Sequence, residues 1–207
     1  MKKTLLISLI VLASFGTAFS QSIWSLSLEP STPLGDMRNF IEESTIRGLS
    51  FYGSWFVSDR IAVGVNVQWT GFYQKEERYT WNLDGAAITA NAWKEFYMWP
   101  LYLNGRYYFT DEDEGRLLPY AGLNVGVAYI DQNAQVGTYE FQDKSWKFAL
   151  APEVGTRFPM GIERSWGFNF LVRYQMAFYN TNDINLLQFL NYSIGVYWKM
   201  YPRGERY

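Results

Sequence analysis

The stretch that decides the fold is Ile61-Ala-Val-Gly-Val-Asn-Val-Gln-Trp-Thr-Gly71, in which apolar residues alternate with small or polar ones. Val63, Val65, Val67 and Trp69 fall on one face, because successive side chains of a β-strand point to opposite sides. The stretch therefore predicts a strand with one apolar face and one polar face. Which of these faces points outward distinguishes a soluble barrel from a membrane barrel.

The same two-residue alternation recurs along the rest of the chain. It predicts eight strands at 22–34, 45–57, 61–73, 93–109, 117–129, 145–158, 166–179 and 189–201. Short connections at 58–60, 110–116 and 159–164 alternate with longer ones at 35–44, 74–92, 130–144 and 180–188. An even number of strands with short turns at one end and long loops at the other is typical of an outer-membrane barrel. Pro152 falls inside a predicted strand, where it removes a ladder hydrogen bond, and we expect a bulge there.

The polar faces of the predicted strands are small, uncharged and rich in glycine, as in Gly64-Val-Asn-Val-Gln68 and Gly122-Leu-Asn-Val-Gly126. A soluble barrel would expose its polar face to water and carry many Lys and Glu there. The faces are therefore apolar outside and polar inside a narrow lumen. The predicted fold is all-β, an eight-stranded antiparallel up-and-down transmembrane β-barrel. A soluble periplasmic ligand-binding barrel of the lipocalin type is the alternative.

The first twenty residues have the pattern of a secretory signal peptide. Lys2 and Lys3 precede an apolar run over 5–15, and Ala18-Phe19-Ser20 supplies small residues at the positions that a signal peptidase reads. We therefore expect cleavage before Gln21, a barrel domain over 21–207 and export to the outer membrane. The composition agrees, since 19% of residues are aromatic and no later apolar run has the length of a membrane helix.

The composition also excludes several functions. The chain has 18 basic and 20 acidic residues, a balance that argues against a nucleic-acid partner. It has no His, so it holds no Ser-His-Asp site, and we predict no catalytic residue, cofactor or metal. The acidic run 111–114 is a solvated turn, because a calcium loop needs ligands at spaced positions.

Three segments resemble small outer-membrane proteins of the OmpA/OmpX-like barrel family: Phe56-Val-Ser-Asp-Arg-Ile-Ala-Val-Gly64, Gly105-Arg-Tyr-Tyr-Phe109 and Leu118-Pro-Tyr-Ala-Gly-Leu-Asn-Val-Gly126. The resemblance covers essentially the whole chain after residue 20. It implies insertion by the outer-membrane assembly machinery, which recognises an aromatic-ended last strand such as Tyr192-Ser-Ile-Gly-Val-Tyr-Trp-Lys-Met-Tyr201.

Strand parity places six charged residues inside the predicted lumen, namely Glu29, Arg106, Glu153, Arg157, Arg173 and Lys199. Glu29 and Arg173 fall near mid-height on strands separated only by the last one, and Glu153 and Arg173 fall on adjacent strands. A buried charge is tolerated when it is paired, so an ion-pair network that plugs the lumen is expected. The other interpretation is a charged constriction that passes or gates ions.

Variable function is expected in the long loops. The loop 74–92 mixes charges with Tyr79 and Trp81, side chains suited to contact a partner surface or lipopolysaccharide. The predicted role is structural or interactive, in a monomer surrounded by outer-membrane lipid. A narrow porin-like channel or transporter of small solutes is the alternative.

Overall fold

The computed structural model describes residues 22–83, 86–111, 115–136, 139–161, 163–181 and 184–200. These residues form β1 (Ser22–Leu28), β2 (Ser31–Leu34), α1 (Gly35–Phe40), β3 (Gly48–Ser58), β4 (Ile61–Leu83), β5 (Ala86–Tyr108), β6 (Leu118–Val136), β7 (Tyr139–Met160), β8 (Trp166–Thr181) and β9 (Ile184–Met200). No helix among them is long and apolar enough to cross a membrane. The predicted signal peptide, 1–20, lies outside the described residues.

The strands close into a ring. Antiparallel pairing joins β3 to β9 in chain order, and β1 pairs with both β3 and β9, so that Leu26 lies opposite Phe51 on one side and Val196 on the other. A break at Glu29 and Pro30 separates β1 from β2, which continues along β9. These two segments together form the first of eight strands, which confirms the predicted eight-stranded antiparallel barrel.

The two ends of the barrel differ. The short connections after β3, β5 and β7 share one end with Ser22 and Met200, which lie opposite each other. We call this the turn end, and the opposite end, which carries α1, the loop end. The three connections predicted as short therefore lie together at one end of the barrel.

The outward face of the barrel is apolar. Leu103 is 71% exposed and Val154 is 60% exposed, whereas the inward-facing Asn66 and Arg173 are buried. A soluble barrel requires the reverse arrangement, so the lipocalin-like alternative is wrong. From Pro119 to Tyr129, β6 rises about 33 Å along the strand, or about 25 Å along the barrel axis at a tilt of about 40°. This height matches the apolar band of outer-membrane barrels.

Aromatic side chains mark the loop-end edge of this apolar band. The ring of Tyr129 lies 5.6 Å from that of Trp99 and 5.4 Å from that of Trp146, measured between centroids. These three side chains form what we call the aromatic belt. The next outward positions on β6 and β7 are Asp131 and Lys144, which pair across the strands with an N–O distance of 3.5 Å. Amphipathic rings followed by charges define a membrane–water interface.

Three of the four predicted long loops are wrong, since the strands continue through most of 74–92, 130–144 and 180–188. Gln74 pairs with Lys94, and Asn133 pairs with Gln142, beyond the apolar band. Outside the bilayer the outward face contacts water and need not be apolar, so the apolar alternation that identifies a strand disappears while the backbone ladder persists. The barrel wall therefore extends beyond the membrane at the loop end.

The remaining predicted loop, 35–44, contains α1, a single helical turn and a half that the sequence did not predict. Met37 on α1 and Ile41 just after it are fully buried. Asp36 accepts hydrogen bonds from the backbone N–H groups of Asn185 and Leu186 at the start of β9, at 3.2 and 3.4 Å. The helix is therefore anchored across the mouth of the barrel.

The bulge predicted at Pro152 is absent. The β7–β8 ladder keeps one register from Leu150, opposite Met176, to Glu153, opposite Arg173. Its pairing is interrupted only at 151–152. A proline lacks the N–H that a ladder needs, and here the ladder omits two pairs without inserting a residue.

The apolar band makes a stability prediction. Leu103→Arg places a charge at mid-height on the lipid-facing surface and should lower the free energy of unfolding in lipid vesicles by about 2–4 kcal/mol. Ile46→Arg is the control, because Ile46 is 84% exposed in the segment before β3. That change should cost at most about 1 kcal/mol. Both free energies are measured by urea titration of the protein in lipid vesicles. An equal loss of unfolding free energy in both variants would contradict the position of the apolar band.

Candidate functional site: the lumen

Four charged side chains meet at mid-height inside the barrel and form what we call the tetrad: Glu29, Arg106, Glu153 and Arg173. Glu153 on β7 accepts from Arg106 Nε on β5 at 2.6 Å and from Arg173 Nε on β8 at 2.9 Å. Arg173 Nη1 also lies 3.4 Å from both carboxylate oxygens of Glu29. All four side chains are almost completely buried. The charges sum to zero, so each buried ion has an opposite partner, as a low-dielectric interior requires.

Backbone geometry places Glu29 in this tetrad. Its position falls at the break between β1 and β2, where its backbone N–H donates to Gly48 O at 2.9 Å. A Cβ at Gly48 would collide with the backbone carbonyl of Glu29, so only glycine permits this approach. The Glu29 carboxylate then accepts from Ser50 Oγ at 2.6 Å and from Gln68 Nε2 at 3.3 Å.

Neutral amides complete the hydrogen bonding of the tetrad. Asn104 and Asn124 donate their side-chain N–H groups to opposite oxygens of Glu153, at 3.1 and 2.9 Å. Gln68 Oε1 accepts from Arg173 at 3.1 Å and from Gln175 at 2.6 Å. A hydrogen bond to or from a charged group is stronger than one between two neutral groups. These amides therefore stabilise the ionised form of the network.

An aromatic layer separates the tetrad from the turn end. The guanidinium of Arg106 lies 3.7 Å from the ring centroid of Tyr52 and 4.6 Å from that of Tyr120. Arg157 lies deeper toward the turn end, 4.3 Å from the ring of Tyr108 and 5.3 Å from that of Tyr197. Buried cation–π contacts of this kind stabilise arginine in a desolvated position. The rings fill the lumen below the ion pairs.

An apolar layer separates the tetrad from the loop end. Phe72, Phe96 and Phe189 point inward and are fully buried, with the Phe72 ring 5.3 Å from Phe189 and 6.3 Å from Phe96. Met37 and Ile41 pack on the same cluster from above. The side of the lumen that faces the loops is therefore a dry core with α1 as its lid.

The structure brings together four of the six sequence-predicted lumenal charges, namely Glu29, Arg106, Glu153 and Arg173. Arg157 occupies the separate aromatic layer. Lys199 is only half-buried near the turn end. Asn191 is the residue of β9 opposite Arg173, and Lys199 lies about 26 Å further along that strand. It is therefore too distant to join the tetrad.

Sequence reasoning missed the amide shell and the inner apolar layer. Parity alone predicts Gln68 and Asn124 as inward-facing, but it does not predict which carboxylate they contact. Phe72 and Phe96 have the same inward parity as the polar residues below them. The sequence therefore contained a signal for the apolar layer, namely phenylalanine at inward-facing positions. An apolar residue on both faces of a strand marks the point where the lumen becomes a core.

The arrangement has the chemistry of a filled structural interior. In the described part of the chain, no group of three or more His, Cys, Asp or Glu side chains comes together in a way that could hold a metal. Both carboxylates of the tetrad accept hydrogen bonds from arginine and from neutral donors. Carboxylates that already accept these hydrogen bonds are held in place by their donors and serve a structural role.

No protein-family model matches this chain, and no curated protein matches it. Solved structures with a similar fold include Neisserial surface protein A, which is 12% identical with a TM-score of 0.55, over 87% of this chain and 97% of that one. Ail, the attachment invasion locus protein of Yersinia pestis, is 9% identical with a TM-score of 0.53, over 88% and 99%. A structure of Ail in complex with the heparin analogue sucrose octasulfate is 9% identical with a TM-score of 0.51, over 87% of this chain and 98% of that one.

The fold is therefore that of the small eight-stranded outer-membrane barrels, as the OmpA/OmpX-like resemblance predicted. Identities this low establish the fold alone. What the barrel does must come from its own residues.

The tetrad makes a second stability prediction. Glu153→Gln keeps the shape of the side chain but leaves Arg106 and Arg173 without their shared carboxylate, at a cost of about 3–5 kcal/mol. The matched control is Glu77→Gln, which removes a pair with Lys75 whose glutamate side chain is 79% exposed. That surface change should cost at most about 1 kcal/mol. Both costs are measured as changes in the free energy of unfolding by urea titration in lipid vesicles. A Glu153→Gln barrel as stable as Glu77→Gln would contradict the tetrad.

Proposed function

We propose that this protein is a non-conducting outer-membrane barrel with a structural or surface-interaction role. Its lumen is plugged by polar and charged side chains, and its contacts are made by the hairpins that rise above the membrane at the loop end. The single observation that carries the proposal is the sequence of three filled layers along the lumen: the Arg157 aromatic layer, the charge tetrad and the apolar core under α1.

The three layers act together against conduction. An ion entering from the turn end meets the rings of Tyr108 and Tyr197, and one entering from the loop end meets Phe72, Phe189 and α1. The tetrad between them is neutral and internally paired, so it offers no net attraction for either ion sign. Opening a path would require breaking buried ion pairs, which leaves uncompensated charges in a low dielectric.

The surface role rests on the extended walls. β4 and β5 continue past Tyr73 to Leu83 and Ala86, and β6 and β7 meet near Val136. These hairpins present a rigid, hydrogen-bonded surface above the aromatic belt, suited to contact a partner. The described outward charges there are of both signs, such as Lys75 with Glu77 and Lys144 with Asp131. The polyanion bound to Ail is therefore not proposed as a ligand of this chain.

The biogenesis route is part of the same proposal. Residues 1–20 direct export and are removed before Gln21, and the assembly machinery recognises the aromatic last strand ending in Trp198 and Tyr201. The described part of that strand, β9, closes the barrel on β1. Residues 201–207 lie outside the described residues. The mature protein is proposed to be a monomer in outer-membrane lipid, without enzymatic activity or cofactor.

A conductance measurement tests the proposal. Refolded protein inserted into planar lipid bilayers should show no steady single-channel current at moderate voltage, because all three layers block the lumen. Glu153→Gln should also be silent, since the aromatic and apolar layers remain. Insertion is verified by protease protection and by resistance of the barrel to extraction with alkaline carbonate.

Each positive result has a distinct meaning. A steady current from the wild type would contradict the proposal and favour the narrow channel. A wild type that is silent while Glu153→Gln conducts would identify the tetrad as a gate, which would also contradict a permanently plugged lumen. Release of the protein by carbonate would contradict its proposed place in the membrane.

A further inference from the structure

A shallow groove lies on the outer wall of the barrel at the loop end. It encloses about 290 Å³ and is lined by Tyr73, Trp93, Glu95, Asn133 and Gln135. These side chains point away from the lumen, so the groove belongs neither to the plugged interior nor to a mouth of the barrel. Nothing in the closed-lumen role requires it.

Sheet register builds this groove from three neighbouring strands. Tyr73 on β4 lies opposite Glu95 on β5, which lies opposite Asn133 on β6. One step further from the membrane, Trp93 lies opposite Gln135. Cross-strand neighbours on one face lie within about 5.5 Å, so the two rings, two amides and one carboxylate form a compact patch. A continuous ladder on both sides of β5 keeps its geometry fixed.

The lining has the chemistry that recognises a sugar. The rings of Tyr73 and Trp93 offer apolar faces to the C–H face of a pyranose, and the amides and carboxylate offer paired donors and acceptors to neighbouring hydroxyls. The Tyr97 hydroxyl lies beside this carboxylate, 3.5 Å from Glu95 Oε2. Few polar groups beside aromatic walls are the usual composition of a small-molecule site.

The height of the groove restricts the source of that sugar. Glu95 and Trp93 lie four and six residues beyond Trp99 of the aromatic belt, which places them about 10 and 15 Å above it at a strand tilt of about 40°. A phospholipid headgroup layer is only about 5–8 Å deep on each side of the hydrocarbon. A ligand that reaches this wall from the same membrane must therefore extend past the headgroups, as the sugars of a glycolipid do.

Charge favours a sugar hydroxyl over a phosphate. The only formal charge among the five lining residues is the carboxylate of Glu95. Two cations border the groove without lining it: Lys75, opposite Trp93, pairs with Glu77 at 3.6 Å, and the guanidinium of Arg47 lies 5.9 Å from the ring centroid of Tyr73. Within the lining itself an anionic group would meet the carboxylate of Glu95 and no cation, which is unfavourable.

We propose that this groove binds a neutral sugar ring in the saccharide part of an outer-leaflet glycolipid. The proposal rests on the outer-membrane placement proposed above, and it names one surface partner of the extended wall. The glycolipid is held laterally, beside the barrel, with its acyl chains against the apolar band and its sugars in the groove.

The test uses the full-length mature barrel in detergent micelles and, as probe, the delipidated core oligosaccharide of a rough-type lipopolysaccharide. Wild type should bind it saturably, followed by chemical-shift changes in backbone amides of β4 to β6. Trp93→Ala and Glu95→Gln should each weaken binding by about tenfold or more, since one removes a stacking face and the other a charged acceptor. A second arm compares copurification of rough lipopolysaccharide and of lipid A alone with the barrel in nanodiscs, and rough lipopolysaccharide should be retained preferentially.

Two variants outside the groove serve as controls. Trp146→Ala removes an exposed tryptophan from the aromatic belt, and Gln142→Ala removes the amide opposite Asn133 on the side away from the groove. Both should bind the oligosaccharide within about twofold of wild type. The proposal is overturned by a wild type that does not bind, by groove variants that bind normally, or by controls that weaken binding equally. Binding of free oligosaccharide without preference for rough lipopolysaccharide over lipid A would overturn the glycolipid as source. Conductance reports on the lumen and not on this wall, so either proposal can fail alone.

Discussion

The structure depends on one buried carboxylate and the two arginines that share it. Glu153 on β7 lies between Arg106 on β5 and Arg173 on β8, within 2.6 and 2.9 Å of their Nε atoms. A barrel whose outside is apolar must collect its polar groups inside, where each charge has lost its water. The lost water is replaced by hydrogen bonds from Asn104 and Asn124 to Glu153 and by the second ion pair, between Arg173 and Glu29. The network therefore couples opposite sides of the barrel through its centre.

The layers above and below the network follow from the same constraint. Ion pairs gain strength as water is excluded, and the rings around Arg157 and the phenylalanines under α1 exclude it from both directions. The cost is that the lumen has little freedom to open. The function that we propose therefore lies at the outer surface, where the walls extend beyond the aromatic belt and carry the aromatic and amide side chains of the groove.

The sequence predicted the ring and its polarity because lipid enforces strict alternation: Val63 and Leu103 must face outward, and Glu153 and Arg173 must then face inward. It did not predict where strands end above the membrane, because outward residues there, such as Lys75 and Lys144, face water and that face need not be apolar. It also did not predict α1, since a helix of six residues is held by the contacts of Met37 and Asp36 and not by its own propensity. Lys199 was predicted inside from parity, which gives the direction of a side chain and not its distance from the network.

The central claim, that Glu153 is permanently shared by Arg106 and Arg173 in a dry lumen, is tested most directly by side-chain hydrogen exchange. In ¹⁵N-labelled protein refolded in micelles, the Nε–H resonances of Arg106 and Arg173 should exchange with solvent far more slowly than that of Arg116, an exposed residue at the turn end. They should also move to new chemical shifts in Glu153→Gln. Exchange of all three at the same rapid rate would show a hydrated lumen with mobile charges and would contradict the account.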